Sequence, residues 1–112
     1  MRVWQAAEEM VAEIDGWLKR VRSRSGNSAY HLERAAESVL FNIGEGVGAW
    51  QPKVKISAYE IAKKEANEVR AILRRLVLKR VLTSEEIEKP YNLAGAIVGM
   101  LTKAIIAVEQ RR

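Results

Sequence analysis

Few residues in this 112-residue chain have the chemistry for catalysis. His31 is its one histidine, Asp15 its one aspartate, and cysteine is absent. That rules out thiolate catalysis, disulfides and cysteine-ligated zinc, and it suits a reducing compartment. A di-iron bundle needs Glu-x-x-His pairs on two helices, which a single histidine does not supply. Glu65 and Glu68 stand one helical turn apart, yet two carboxylates without imidazole make a poor transition-metal site. Gly44, Gly46 and Gly48 lack the Lys-Ser/Thr that completes a phosphate-cradling loop. No nucleophile stands at a recognisable spacing from a base. The expectation is a protein without catalysis, bound metal or cofactor.

The polar residues that do stand out share one stretch, Leu32-Glu33-Arg34-Ala35-Ala36-Glu37-Ser38-Val39-Leu40-Phe41-Asn42-Ile43-Gly44-Glu45-Gly46. It reads as an amphipathic helix with Asn42 on its apolar seam and Arg34, Ser38 and Glu45 within three turns. A polar group on a core seam costs stability unless its hydrogen bonds are met, so such a group normally specifies one set of partners. The set therefore reads as architectural. Arg34 or Asn42 is expected to pair with Glu68 or Glu45 across the second and third helices, fixing their register.

The elements that must position these residues follow from apolar spacing. The first helix offers Val3, Ala7, Met10, Ile14, Trp17 and Val21; the second Leu32, Ala35, Val39, Asn42 and Gly46. The third offers Tyr59, Ala62, Ala66, Val69, Leu73 and Leu76; the fourth Ile87, Tyr91, Ala94, Val98, Leu101, Ile105 and Val108. Steps of three and four are the seams of bundle helices, and no stretch alternates long enough for a strand. Ser25-Gly26-Asn27-Ser28 breaks the first from the second, with Asn27 or Ser28 as the cap. Gly46, Gly48 and Pro52 mark the next connection, Pro52 suiting a first helical turn. Thr83-Ser84-Glu85-Glu86 has capping-box spacing, and Pro90 inside the fourth helix predicts a kink or a separate first turn. The spacing predicts helices over 3–24, 29–46, 53–81 and 84–110 in one domain, 1–112. Short connections make this an all-α, antiparallel up-down-up-down four-helix bundle.

Two surface properties remain. Phe41, Val77, Leu78, Ile97, Met100 and Ile106 fall beside the seams, and Gly95 and Gly99 form a small-residue strip. Together they suggest a subunit interface, whereas Tyr30 and Trp50 are expected to pack. Nineteen Lys and Arg face fourteen Asp and Glu, a formal charge of +5. The bases cluster: Lys19, Arg20, Arg22 and Arg24 late in the first helix; Arg70, Arg74, Arg75, Lys79 and Arg80 late in the third. Early acids and late bases complement the helix macrodipole, and a charge run is often a solvated face. Nine bases against three acids between Lys53 and Arg80 exceed that need. In this topology both clusters share one pole, the footprint of phosphate-backbone binding to RNA or DNA. No apolar run approaches the roughly 18 residues of a membrane span, and charge interrupts the N-terminus too early for a secretory signal. A cytoplasmic location is expected.

The stretch from Leu32 to Gly46 resembles the hallmark of the small four helix bundle proteins, approximately Leu-x-Arg-Ala-x-x-Ser-Val-x-x-Asn-Ile-x-Glu-Gly. That family includes products of intervening sequences in bacterial large-subunit ribosomal RNA. It also includes relatives of Avd, the accessory variability determinant of diversity-generating retroelements. Ile61-Ala62 through Ala66-Asn67-Glu68 is similar to the family's Ile-Ala-x-Gly-Ser-Ala-x-Glu, with Lys64-Glu65 in place of Gly-Ser. Ala49 stands where an arginine often follows the Gly-x-Gly. The resemblance implies a basic, ring-like homopentamer. In the Avd branch it implies a nucleic-acid-binding accessory of a reverse transcriptase. The alternative is a protein–protein module, encoded in a ribosomal RNA intervening sequence, that binds no nucleic acid.

Overall fold

A computed structural model describes residues 2–111. It contains α1 (Arg2–Arg24), α2 (Gly26–Gly48), α3 (Pro52–Leu78) and α4 (Ser84–Gln110). Each helix packs on two neighbours in the cyclic order α1, α2, α3, α4, and among the described residues the diagonal helices do not pack. Short connections reverse the chain at each step, giving an antiparallel bundle of 47 × 20 × 19 Å.

The seams form the core, with instructive slips of one residue. On α3 all six expected positions are buried, from Tyr59 to Leu76. On α1, Leu18 is buried and Trp17 lies at the margin. On α2 the seam runs through Ile43, leaving Asn42 half-buried beside it. On α4, Pro90 and Ile97 are buried, whereas Tyr91 and Val98 are partly exposed. Adjacent positions on a broad apolar face compete for the inward side, and the neighbouring helices decide between them. Ile97, expected beside the seam, is fully buried in the core.

Helix ends show where local chemistry decides. Ser25, not Asn27 or Ser28, occupies the N-cap of α2, and its hydroxyl donates to Ser28 Oγ at 2.9 Å rather than accepting from the helix. The C-terminus of α2 is also held from outside: Lys55 Nζ donates to the Gly46 carbonyl at 2.6 Å, which the Ala49 amide reaches more weakly at 3.3 Å. Pro52 opens α3 as expected. That helix stops at Leu78, three residues before the expected end. Arg80 N–H donates to the Val77 carbonyl and Val81 N–H to the Leu76 carbonyl, both at 2.9 Å. This is a Schellman end, and it places Arg80 at φ 60°, a conformation glycine usually supplies. The capping box at α4 is complete, with the Glu86 amide donating to Thr83 Oγ1 at 3.1 Å and the Thr83 amide to Glu86 Oε1 at 2.9 Å. The α4 helix runs unbroken through Pro90, so no separate first turn forms.

Two glycines in the Leu32–Gly46 stretch are explained by packing. A Cβ on Gly46 would lie 2.4 Å from Tyr59 Cε1, so the tyrosine ring of α3 needs a bare backbone there. A Cβ on Gly44 would come within 3.1 Å of the Trp4 ring on α1. By length and composition α4 could also cross a membrane, contrary to the sequence expectation. Here it is a bundle helix with Ile87, Ala94, Ile97, Leu101 and Ile105 in the shared core.

Candidate nucleic-acid interface

The antiparallel order brings the C-terminal ends of α1 and α3 to one pole, where Lys79 Nζ donates to Ser25 Oγ at 2.7 Å. Both basic clusters therefore share an end of the molecule. They are not equivalent once there, because the start of α4 and the early turns of α2 bring acids. Arg20 pairs with Glu86, whose carboxyl is held below its ordinary range by Arg20 and the Thr83 amide. Arg22 reaches Glu33 at 3.3 Å. Lys19, Arg24, Arg75 and Arg80 are exposed and make no ion pair among the described residues.

Arg70 and Arg74, late on α3, also engage Tyr91 of α4. The Arg70 guanidinium lies over the Tyr91 ring, 4.1 Å from its centroid, and fills the space above Gly95 at 3.3 Å from a built Cβ. Its Nε is buried without a hydrogen-bond partner. Arg74 lies 5.9 Å from the same ring and donates to the Tyr91 hydroxyl at 3.5 Å. That hydrogen bond, aided by the charges of both arginines, holds the Tyr91 hydroxyl below its ordinary pKa. Arg70 is thus part of the α3–α4 contact, and Gly95 is already occupied. Gly99 has open space beside it.

The polar set of α2 forms a clasp onto α3. Arg34 Nη1 donates to Glu65 Oε2 at 3.1 Å, and Nη2 reaches Glu68 Oε1 at 3.5 Å. The expected Arg34–Glu68 pair is present, but the buried partner is Glu65, whose side chain is only 7% exposed against 45% for Arg34. Burial pushes the Glu65 carboxyl upward. Hydrogen bonds from Glu68, Ser38 and Arg34 outweigh this and leave it below its ordinary range. Glu68 is held above its range, chiefly by its hydrogen bond to Glu65. Asn42 does not cross to α3. Its amide donates to the Ser38 carbonyl at 2.9 Å and Ser38 Oγ at 3.1 Å, so it reaches the clasp only through Ser38. Glu45 makes no ion pair among the described residues and lines an open groove with Asn42, Val54 and Ile61. The signal for Glu65 was present: it stands on the seam side of α3, one turn after Ala62, and a carboxylate there demands a cation from across the interface.

A second pair of contacts ties α1 to α4. Lys89 Nζ bridges Glu9 at 3.0 Å and Glu13 at 3.4 Å, which raises the Lys89 pKa. The surplus apolar surface is real along α2 and the start of α3. Phe41 is 65% exposed, Trp50 85%, and Val54 and Ile61 are exposed nearby in sequence. Trp50 and Tyr30 do not pack as expected. Tyr30 stands exposed at the start of α2, on the basic pole, with only His31 edge-on at 5.4 Å. Leu78 and Ile106 are also exposed, whereas Val77 and Met100 pack against the core.

These features make the chain an antiparallel four-helix bundle, with an arginine–carboxylate clasp between its second and third helices and basic residues gathered at one pole. Residues 1–103 match the family described as 23S rRNA-intervening sequence protein, and the chain belongs to that family. A similar fold occurs in the crystal structure of a protein of unknown function from the S23 ribosomal protein family of Bacteroides thetaiotaomicron. The two share 26% identity at a TM-score of 0.85, covering 92% of this chain and 97% of that one. No curated protein matches.

Proposed function

We propose that this protein is a non-catalytic, basic scaffold that binds nucleic acid through phosphates at the pole shared by α1 and α3. The observation that carries the proposal is the convergence of Lys19, Arg24, Arg75 and Arg80 there without carboxylate partners among the described residues. Arg20 and Arg22 add charge that is already shared with Glu86 and Glu33, and Lys79 adds a cation that donates to the neutral Ser25 hydroxyl. Exposed Tyr30 supplies a stacking face at the same end. A narrower form of the proposal is service as a reverse-transcriptase accessory of the Avd type.

The exposed apolar residues beside Glu45 support a second component, self-association through the α2–α3 face into a homo-oligomer. A ring would place several basic poles side by side and multiply weak contacts by avidity. The protein would act in the cytoplasm.

Binding of labelled RNA and DNA between 50 and 200 mM salt tests the phosphate mechanism. Four contacts predict a loss of about fifty-fold for a single strand and about 150-fold for a duplex over that interval. The variant carrying Lys19→Ala, Arg24→Ala, Arg75→Ala and Arg80→Ala is expected to lose most affinity and most of the salt slope, with the helical content retained. Salt-independent binding, or wild-type affinity in that variant, refutes the mechanism. Self-association without any nucleic-acid binding would favour the protein–protein module instead.

A further inference from the structure

The last turns of α3 and the first turns of α4 enclose a cleft of about 290 Å³ beside the basic pole. Its lining combines three chemistries. Leu78 and Ile87 are apolar, Arg74 and Tyr91 form the cation–ring pair at one side, and Glu88 and Asn92 contribute a carboxylate and a carboxamide from successive turns of α4. Arg70, stacked on Tyr91, helps to hold the ring in place. Arg74 uses one donor on the Tyr91 hydroxyl, and its guanidinium carries further donors. Leu78 is 74% exposed at the rim, the largest uncovered aliphatic side chain of the molecule's described residues.

We infer that this cleft holds one unpaired nucleotide of a single strand, a claim that rests on the basic pole binding nucleic acid. An extruded base is flat and apolar on its faces and polar at its edge, which matches an aliphatic surface bordered by an amide and a carboxylate. Arg74 stands where a flanking phosphate would be met, and Arg75, Lys79 and Arg80 continue the positive surface along the strand. Glu88 selects the ligand further. It repels a free carboxylate or a phosphate placed deep in the cleft, and it accepts hydrogen bonds from an exocyclic amino group. Cytosine and adenine are therefore preferred over uracil. An apolar peptide ending in a carboxylate suits the Leu78–Ile87 surface but meets Glu88 at like charge.

The test uses the full chain and two measurements. In the first, affinities for a labelled cytosine-rich single strand and for a duplex of the same length are compared at matched salt. The expected result is about tenfold tighter binding of the single strand, the order expected from covering apolar surface of Leu78 and Ile87 with one base. Leu78→Ala and Asn92→Ala, both at exposed positions, should remove that preference while leaving duplex affinity unchanged, and Glu88→Gln should erase discrimination against uracil. In the second, cytidine monophosphate, inorganic phosphate and a short acetylated peptide ending in leucine are titrated against isotope-labelled protein. Only the nucleotide should shift the Leu78, Glu88 and Asn92 amides. Equal single-strand and duplex affinity with salt-sensitive binding intact overturns the cleft but leaves the phosphate-binding pole standing. The same shifts from phosphate alone or from the peptide also overturn it. Loss of all nucleic-acid binding would remove both readings together.

Discussion

Truncating Arg34 tests the clasp between α2 and α3 most directly, because the two partners differ in their access to water. Glu65 is nearly buried, whereas about half of the Arg34 side chain meets solvent. Removing Arg34 leaves a carboxylate with little water and without its cation. Removing Glu65 frees an arginine that turns outward and rehydrates. Exposed pairs contribute about 0.2–1 kcal/mol, and breaking a fully buried pair costs about 3–5 kcal/mol. This half-buried clasp falls between. Arg34→Ala should cost about 2 kcal/mol, Glu65→Ala about 1 kcal/mol, and the double variant about the same as Glu65→Ala, a coupling of about 2 kcal/mol. A chain of this length loses roughly 4 °C of Tm per kcal/mol, so Arg34→Ala should melt about 8 °C below wild type. Urea titration at pH 7 with unchanged m-values supplies the free energies.

The same experiment has a pH arm. Glu65 is held below its ordinary value of 4.5, so its contribution is complete above that value and disappears as pH falls through the lower folded-state value. Glu68 works the other way. Its pKa is raised, so the folded state keeps a proton that the unfolded chain releases, and part of its contribution fades as pH rises through the folded-state value. The Arg34–Glu65 coupling should therefore persist from neutral pH down to about 4.5 and vanish well below it. Equal costs for both single variants, or a coupling that survives at pH 2, refute the asymmetric-burial reasoning.

Two further substitutions probe backbone requirements. Gly46→Ala places a Cβ 2.4 Å from the Tyr59 ring and should cost about 1–3 kcal/mol by urea denaturation, since a buried ring between helices has little room to retreat. Wild-type stability in that variant would show that the α2–α3 spacing is not set by this contact. Arg80→Gly relieves a left-handed residue at the end of α3 and should stabilise the fold by about 0.5–1 kcal/mol while weakening nucleic-acid binding by the loss of one charge. A destabilised Arg80→Gly would mean that the arginine side chain contributes more than its conformation costs.

Much of the architecture was legible in the sequence because helix periodicity and end signals are local. Four seams, the Thr83–Glu86 box, Pro52 at a first turn and the hallmark stretch all depend on residues within a few positions of one another. The slips at Trp17/Leu18 and Asn42/Ile43 arose where two adjacent residues compete for an inward face, which only the neighbouring helix can decide. The end of α3 was misplaced because a non-glycine residue adopts the left-handed conformation at Arg80, and nothing in its type announces that.

The candidate site was legible only as a collection of charges. Sequence by itself determined which residues are basic, and the topology they imply determined that the late turns of α1 and α3 share a pole. Which charges remain available there was decided by tertiary structure. Glu86 and Glu33 arrive from other helices and engage Arg20 and Arg22, while Tyr91 and Gly95 draw Arg70 into the α3–α4 contact. The same holds for Arg34, whose buried partner is Glu65 rather than Glu68 or Glu45 alone. Local spacing specifies a helix face within a few residues, but the pairing of charges depends on contacts between residues far apart in the chain, and those exist only once the bundle has closed.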